Sequence, residues 1–153
     1  MHGSVTVHMN APAEKVWDLV SDVTQIGRFS PETFEAEWLD GATGPAVGAT
    51  FRGHVKRNEK GPKYWTVCKV TECEPNRVFA FGVGNPKKTP LNVWKYELAP
   101  AADGGTDVTE SFALQEAIWS KAYWFVLGWA RGKRNCGDMQ RTLENMKQVV
   151  EAA

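Results

Sequence analysis

The stretch that decides the fold is Leu91–Gln115, LNVWKYELAPAADGGTDVTESFALQ. Its first half alternates. Trp94, Tyr96 and Leu98 fall on one face, and Lys95 and Glu97 fall on the other, which is the period of a strand with one packed and one wet face. Ala102-Asp103-Gly104-Gly105 is a strong hairpin signal, because Asp and Gly adopt the tight-turn backbone at low cost. The second half alternates again, with Val108, Phe112 and Leu114 on one face. Strict alternation puts Glu110 on that same inner face. A buried carboxylate is costly unless it is paired, and burial raises its pKa into the range of a general acid or base. Two structural alternatives stand beside that reading: pairing with an arginine, or a bulge that turns Glu110 outward.

The same alternation continues upstream. Val5, Val7 and Met9 mark a first strand, followed by Asn10 as an N-cap and Pro12 in the first turn of a helix over about 12–22. Asp22 to Ser30 reads as a second short helix or turn, which Pro31 ends. Phe34, Ala36 and Trp38 alternate with Glu35 and Glu37, and Phe51, Gly53 and Val55 alternate with Arg52, His54 and Lys56. Further strands are expected at 63–74 and 78–83. Trp65 is ambiguous, since it shares a face with Val67 and Lys69. About seven strands result, six of them consecutive and joined by short turns, so neighbours are antiparallel. In the last segment Cys136, Met139, Leu143, Met146 and Val150 recur at steps of three and four, a single apolar stripe on a helix over 133–151. Arg134, Asp138, Arg141, Glu144 and Lys147 around it suit solvent. The fold class is therefore α+β, a curved antiparallel sheet wrapped around a long C-terminal helix, with two short helices after the first strand.

Composition bounds the function. The 153 residues suit one domain, 1–153, large enough to fold without disulfides or metal. Eighteen basic and eighteen acidic residues balance, which argues against nonspecific nucleic-acid binding. Lys56, Arg57, Lys60 and Lys63 gather at one turn and read as a solvated hairpin tip. Three cysteines, Cys68, Cys73 and Cys136, match neither a disulfide framework nor a zinc motif. Cys68 and Cys136 read as small core residues in a reducing compartment. Met1-His2-Gly3-Ser4 lacks the pattern of a signal peptide, and the expectation is a cytoplasmic protein. His8 and His54 lie opposite the apolar faces of their strands. Neither has a neighbour at the spacing of a triad or a metal site.

Seven Trp, seven Phe and three Tyr make the aromatic residues the main binding candidates. Trp38, Phe51, Phe79, Phe81, Trp94, Tyr96 and Phe112 fall on inner faces. With Trp124, Met139 and Leu143 they are the expected wall of an apolar site. The segment Ile118–Trp129, IWSKAYWFVLGW, has three readings: a lid over the cavity mouth, an extension of the last helix packed on the core or on a second subunit, or a membrane-interface anchor. The weakly charged stretch Ala117–Ala130 around it, which contains Lys121, is too short to span a bilayer, so stable membrane insertion is not expected.

Together these residues resemble the START-like superfamily, also called SRPBCC, with its helix-grip fold. The similarity is to the bacterial polyketide cyclase/dehydrase and lipid-transport branch. It is carried by Ala11-Pro12-Ala13-Glu14-Lys15-Val16-Trp17 to Asp22, by Val47-Gly48-Ala49-Thr50-Phe51-Arg52-Gly53 and by Trp94-Lys95-Tyr96-Glu97-Leu98. Gly104-Gly105-Thr106-Asp107-Val108-Thr109-Glu110-Ser111 and Leu143-Glu144-Asn145-Met146-Lys147 complete it. The resemblance implies a deep cavity between sheet and C-terminal helix for a polyketide, lipid or sterol, with no general metal or cofactor. Three functions follow as expectations. One is a carrier or sensor of a small hydrophobic ligand. The second is an aromatase/cyclase with Glu110 as acid or base, Tyr96 and Arg52 or Arg57 being the other plausible participants. The third is an interaction role with the cavity closed. A homodimer through a sheet edge or the aromatic segment is compatible with all three.

Overall fold

In the computed structural model the backbone is described for residues 2–56, 62–90, 92–114 and 121–152, and the side chains for 3–56, 62–90, 92–113 and 137–152. Seven strands form one sheet: β1 (His2–Met9), β2 (Thr33–Trp38), β3 (Thr50–Lys56), β4 (Lys63–Glu74), β5 (Val78–Val83), β6 (Asn92–Pro100) and β7 (Thr106–Leu114). Between β1 and β2 lie α1 (Ala13–Val20) and a short 3-10 helix (Val23–Arg28), and α2 (Lys121–Ala152) ends the chain. All strand pairs are antiparallel, in the order β1-β7-β6-β5-β4-β3-β2. Six strands meander in sequence order, as the short turns require. The first strand joins the last, with Val5 opposite Glu110 and Val7 opposite Val108.

The expected elements appear with some corrections. α1 begins one step later than its sequence suggests. Pro12 occupies the N-cap with no side-chain cap bond, and its carbonyl accepts from the amides of Lys15 and Val16. Asn10 does not cap. Its amide instead donates to Glu151 Oε1 at 2.8 Å, and Lys147 Nζ reaches the same carboxylate at 2.7 Å and the His8 carbonyl at 3.2 Å. These contacts fasten the end of α2 to the end of β1. α2 itself starts at Lys121, twelve residues before the expected 133, so residues 121–129 of the aromatic segment have a helical backbone.

Phe34 was expected beside Ala36 and Trp38 on the inner face. A register shift between Thr33 and Glu35 turns it outward, where its ring lies 4.4 Å from His54. A bulge inserts one unpaired residue and breaks the parity of everything before it. Trp65 also faces outward, stacked on His54 at 4.2 Å, with the Arg52 guanidinium 4.2 Å from its ring.

One core joins both layers. Met9, Val16, Trp17, Leu19, Phe51, Phe79, Leu98, Val108, Leu143, Met146 and Val150 are buried in it. The apolar stripe of α2 meets β1 and β7, α1 meets β6, and the 3-10 helix meets β2. The last contact is very close, since a Cβ on Gly27 would stand 2.2 Å from the Phe34 carbonyl oxygen. Backbone cannot yield as a side chain tip can. Gly27→Ala should therefore cost about 1–3 kcal/mol in urea unfolding, whereas Gly44→Ala, which meets nothing within 4 Å, should change stability little.

Candidate functional site

The sheet, the 3-10 segment and α2 surround a cavity of about 160 Å³. Strand alternation supplies most of its wall. Phe51, Gly53 and Val55 come from β3, Tyr64, Thr66 and Cys68 from β4, and Phe81 and Val83 from β5. Asn92, Trp94 and Tyr96 come from β6 and Glu110 from β7, while Ile26 and the Ser30–Thr33 turn close one side. Asp138, Met139 and Thr142 of α2 close another.

Glu110 is where alternation places it. No bulge interrupts the β6–β7 register, and Val108, Glu110 and Phe112 are all buried, Glu110 to 3% exposure. Its directly opposite neighbour on β6 is Tyr96, whose hydroxyl donates to Oε1 at 3.0 Å. Among the described residues Oε2 has no partner, although it is buried at the cavity wall. The partner is thus a phenol rather than the expected arginine. A neutral donor relieves only part of the cost of burying charge. Desolvation dominates and pushes the Glu110 pKa up to about 8, against the lowering effect of the Tyr96 bond and with a further push from Asp138. Burial, and then the neighbouring carboxyl, raise Tyr96 well above the ordinary tyrosine range.

The expected wall divides in two. Phe51, Phe81, Trp94, Tyr96 and Met139 border the cavity. Trp38, Phe79, Phe112 and Leu143 pack behind it. Trp38 meets Phe51 edge-on at 5.7 Å, Phe79 meets Trp17 at 6.2 Å, Phe112 lies against Trp94 at 5.5 Å, and Leu143 is fully buried in the core. Trp124, with Cys136 and the other aromatic side chains of 118–129, lies outside the described side chains.

Asn92, Asp138 and Thr142 were not anticipated. Asn92 shares the parity of Trp94 and Tyr96, so its inward direction was available in the sequence. Asp138, assigned to solvent, borders the cavity because a helix gripped by a curved sheet is covered beyond its apolar stripe. The Asn92 Oδ1 is the second buried oxygen without a partner among the described residues.

Other candidates fall away from the cavity. Cys68 borders it, but burial pushes its thiol up to about 12, far from a reactive thiolate. His8 is held on the outside by Asp107 at 2.8 Å and Asp103 at 2.9 Å, Asp107 being the main reason its pKa is raised. His54, expected to be exposed, is 19% exposed between Phe34 and Trp65 and bonds Glu35 at 2.7 Å. Arg52 points outward to Glu37, away from the cavity. Among the described residues no His, Cys, Asp or Glu group could hold a metal ion, and no helix is long and apolar enough to cross a membrane.

The Glu110 proton has a measurable consequence. Below pH 4.5 both folded and unfolded chains hold it. Between 4.5 and about 8 the unfolded chain ionises while the folded carboxyl does not, so stability falls as pH rises; above 8 the loss is constant. Glu110→Gln keeps an acceptor for Tyr96 and cannot ionise. Urea titrations should show the variant gaining on the parent by up to about 1.4 kcal/mol per pH unit across that window, and nothing below it.

Comparison with known proteins places this geometry in context. No curated protein sequence matches the chain. Among solved structures, a protein from Thermus thermophilus aligns with a TM-score of 0.75 at 15% identity, covering 99% of this chain and 98% of its own. A Staphylococcus aureus protein of unknown function aligns with a TM-score of 0.71 at 14% identity, covering 99% and 95%. A polyketide-cyclase-like protein from Corynebacterium glutamicum, solved by NMR, shares 29% identity with a TM-score of 0.53, covering 98% and 85%. The family model described as polyketide cyclase/dehydrase and lipid transport matches residues 1–151. With a helix-grip sheet, a cavity under its last helix and a match of nearly full length, the chain belongs to that family of the START-like superfamily.

Proposed function

We propose that this protein binds a small hydrophobic or amphipathic molecule between the sheet and α2. The observation that carries the reading is the 160 Å³ cavity walled by Phe51, Phe81 and Trp94, with one buried carboxyl oxygen unpartnered among the described residues. Pockets of this kind combine apolar walls with a few polar anchors. The volume is close to that of engineered cavities that hold benzene, about 150 Å³. A ligand, or the part of it that enters, is therefore about one ring in size. Calorimetric titration with 4-ethylphenol should give saturable binding. Met139→Trp fills the space from α2 and should abolish it, and unchanged binding in that variant would place the ligand elsewhere.

A second reading is favoured by the Glu110–Tyr96 pair. A carboxyl with a pKa near 8 is protonated at neutral pH and is matched to general-acid work. Tyr96 holds Oε1, and Oε2 has no partner among the described residues. In a cyclase/dehydrase role Glu110 would protonate the departing hydroxyl of a β-hydroxyketone while the α-carbon loses its proton to solvent. The probe 4-hydroxy-4-phenylbutan-2-one would lose water to give a conjugated enone, which absorbs in the near ultraviolet. If the protein is an enzyme of this kind, Glu110→Gln should slow that reaction by about 10²-fold or more and leave affinity within about threefold. If neither protein accelerates it, the carrier reading stands alone.

A further inference from the structure

The described wall of the cavity is rich in carboxyl groups. Glu32, Glu110 and Asp138 border it, and no Lys, Arg or His does so among the described residues. Its two buried polar atoms without partners among those residues, Glu110 Oε2 and Asn92 Oδ1, are both oxygens. They come from different strands and stand near opposite ends of Trp94. Asn92 and Tyr96 are four residues apart on β6, roughly 13 Å at strand rise, and Tyr96 lies directly opposite Glu110. A ligand beside Trp94 therefore meets an amide oxygen at one end and, while Glu110 holds its proton, a neutral carboxyl group at the other.

We infer that the cavity discriminates by charge: it takes uncharged amphiphiles that bring a hydroxyl to the Glu110 carboxyl or to the Asn92 oxygen, and it rejects the carboxylates built on the same apolar body. This rests on the ligand-binding reading above and adds the chemical class of the ligand.

The physical case has two parts. An anion entering the cavity loses its water and finds no described cation to replace it, which is the expensive way to bury charge. It also comes close to Asp138, and like charges resist sharing a site. A carboxylate, moreover, is acceptor-only. It has no hydrogen for Asn92 Oδ1. A hydroxyl both donates and accepts, so it suits Asn92 and also suits Glu110 with or without its proton. Free fatty acids are thus poor ligands, while phenols, alcohols and hydroxyketones are good ones.

The test uses matched probes on the intact protein at pH 7: 4-ethylphenol against the anion of 4-ethylbenzoic acid, with dissociation constants from ligand-observed NMR. The phenol is expected to bind at least tenfold more tightly. Asp138→Asn, at a half-buried helix position, should fold normally. It is expected to strengthen binding of the benzoate severalfold, and by more than it changes binding of the phenol. Equal or tighter binding of the benzoate to the parent protein would overturn the charge inference and leave the cavity reading intact. A benzoate affinity indifferent to Asp138→Asn would overturn the part assigned to that carboxylate. If neither probe binds, the ligand-binding reading fails, and this inference fails with it.

Discussion

A sheet of seven strands is wider than one helix can cover. At about 4.8 Å per strand spacing, the inner face runs roughly 29 Å across, against about 10–12 Å for a helix with its side chains. α2 packs on β1 and β7, α1 on β6 and the 3-10 helix on β2. What remains between them, over the middle strands, is a region that side chains alone must fill. Phe51, Phe81 and Trp94 fill it incompletely, and the remainder is the cavity. The cavity is thus a consequence of the mismatch between the two layers.

That mismatch also explains why Glu110 can exist where it does. In a fully packed core a carboxylate without a cation would be replaced by an apolar side chain at a gain in stability. At a cavity wall its free oxygen can meet a ligand, and the Tyr96 hydroxyl settles the other. The cost of burial is met by retaining the proton, so a large destabilising charge becomes a neutral acid with a pKa of about 8. Stability and the proposed function therefore pull on the same group. Whatever ligand supplies a hydrogen bond to Oε2 also relieves the fold of an unsatisfied atom.

The outer face uses its aromatics differently. Phe34, His54 and Trp65 stand on the adjacent strands β2, β3 and β4: Phe34 tilts against His54, His54 stacks on Trp65, and Arg52 lies over Trp65. Cross-strand contacts of this kind hold a sheet edge in register. The aromatic richness of the chain thus has two destinations, and composition alone does not say which ring goes where. Parity decides it on β3. On β2 the bulge decides it, against parity.

Period-two alternation determined most of what matters locally. It put Val108, Glu110 and Phe112 of β7 on the same inner face as Trp94 and Tyr96 of β6, and His54 on the reverse side, while leaving Trp65 ambiguous. It held because β3, β6 and β7 are unbroken strands. The stripe of Met139, Leu143, Met146 and Val150 likewise pointed to a helix with one buried face. Three things required the tertiary structure. The bulge at Thr33/Glu35 reversed Phe34, since a register shift belongs to a strand pair and not to a strand. The division of the aromatics into wall (Phe51, Phe81, Trp94) and packing (Trp38, Phe79, Phe112) depended on where α2 and the 3-10 helix leave space, a property of layers far apart in sequence. The pairing of Glu110 with Tyr96, and the approach of Asp138 across the cavity, arose from contacts over fourteen and twenty-eight residues of chain, which no local pattern encodes.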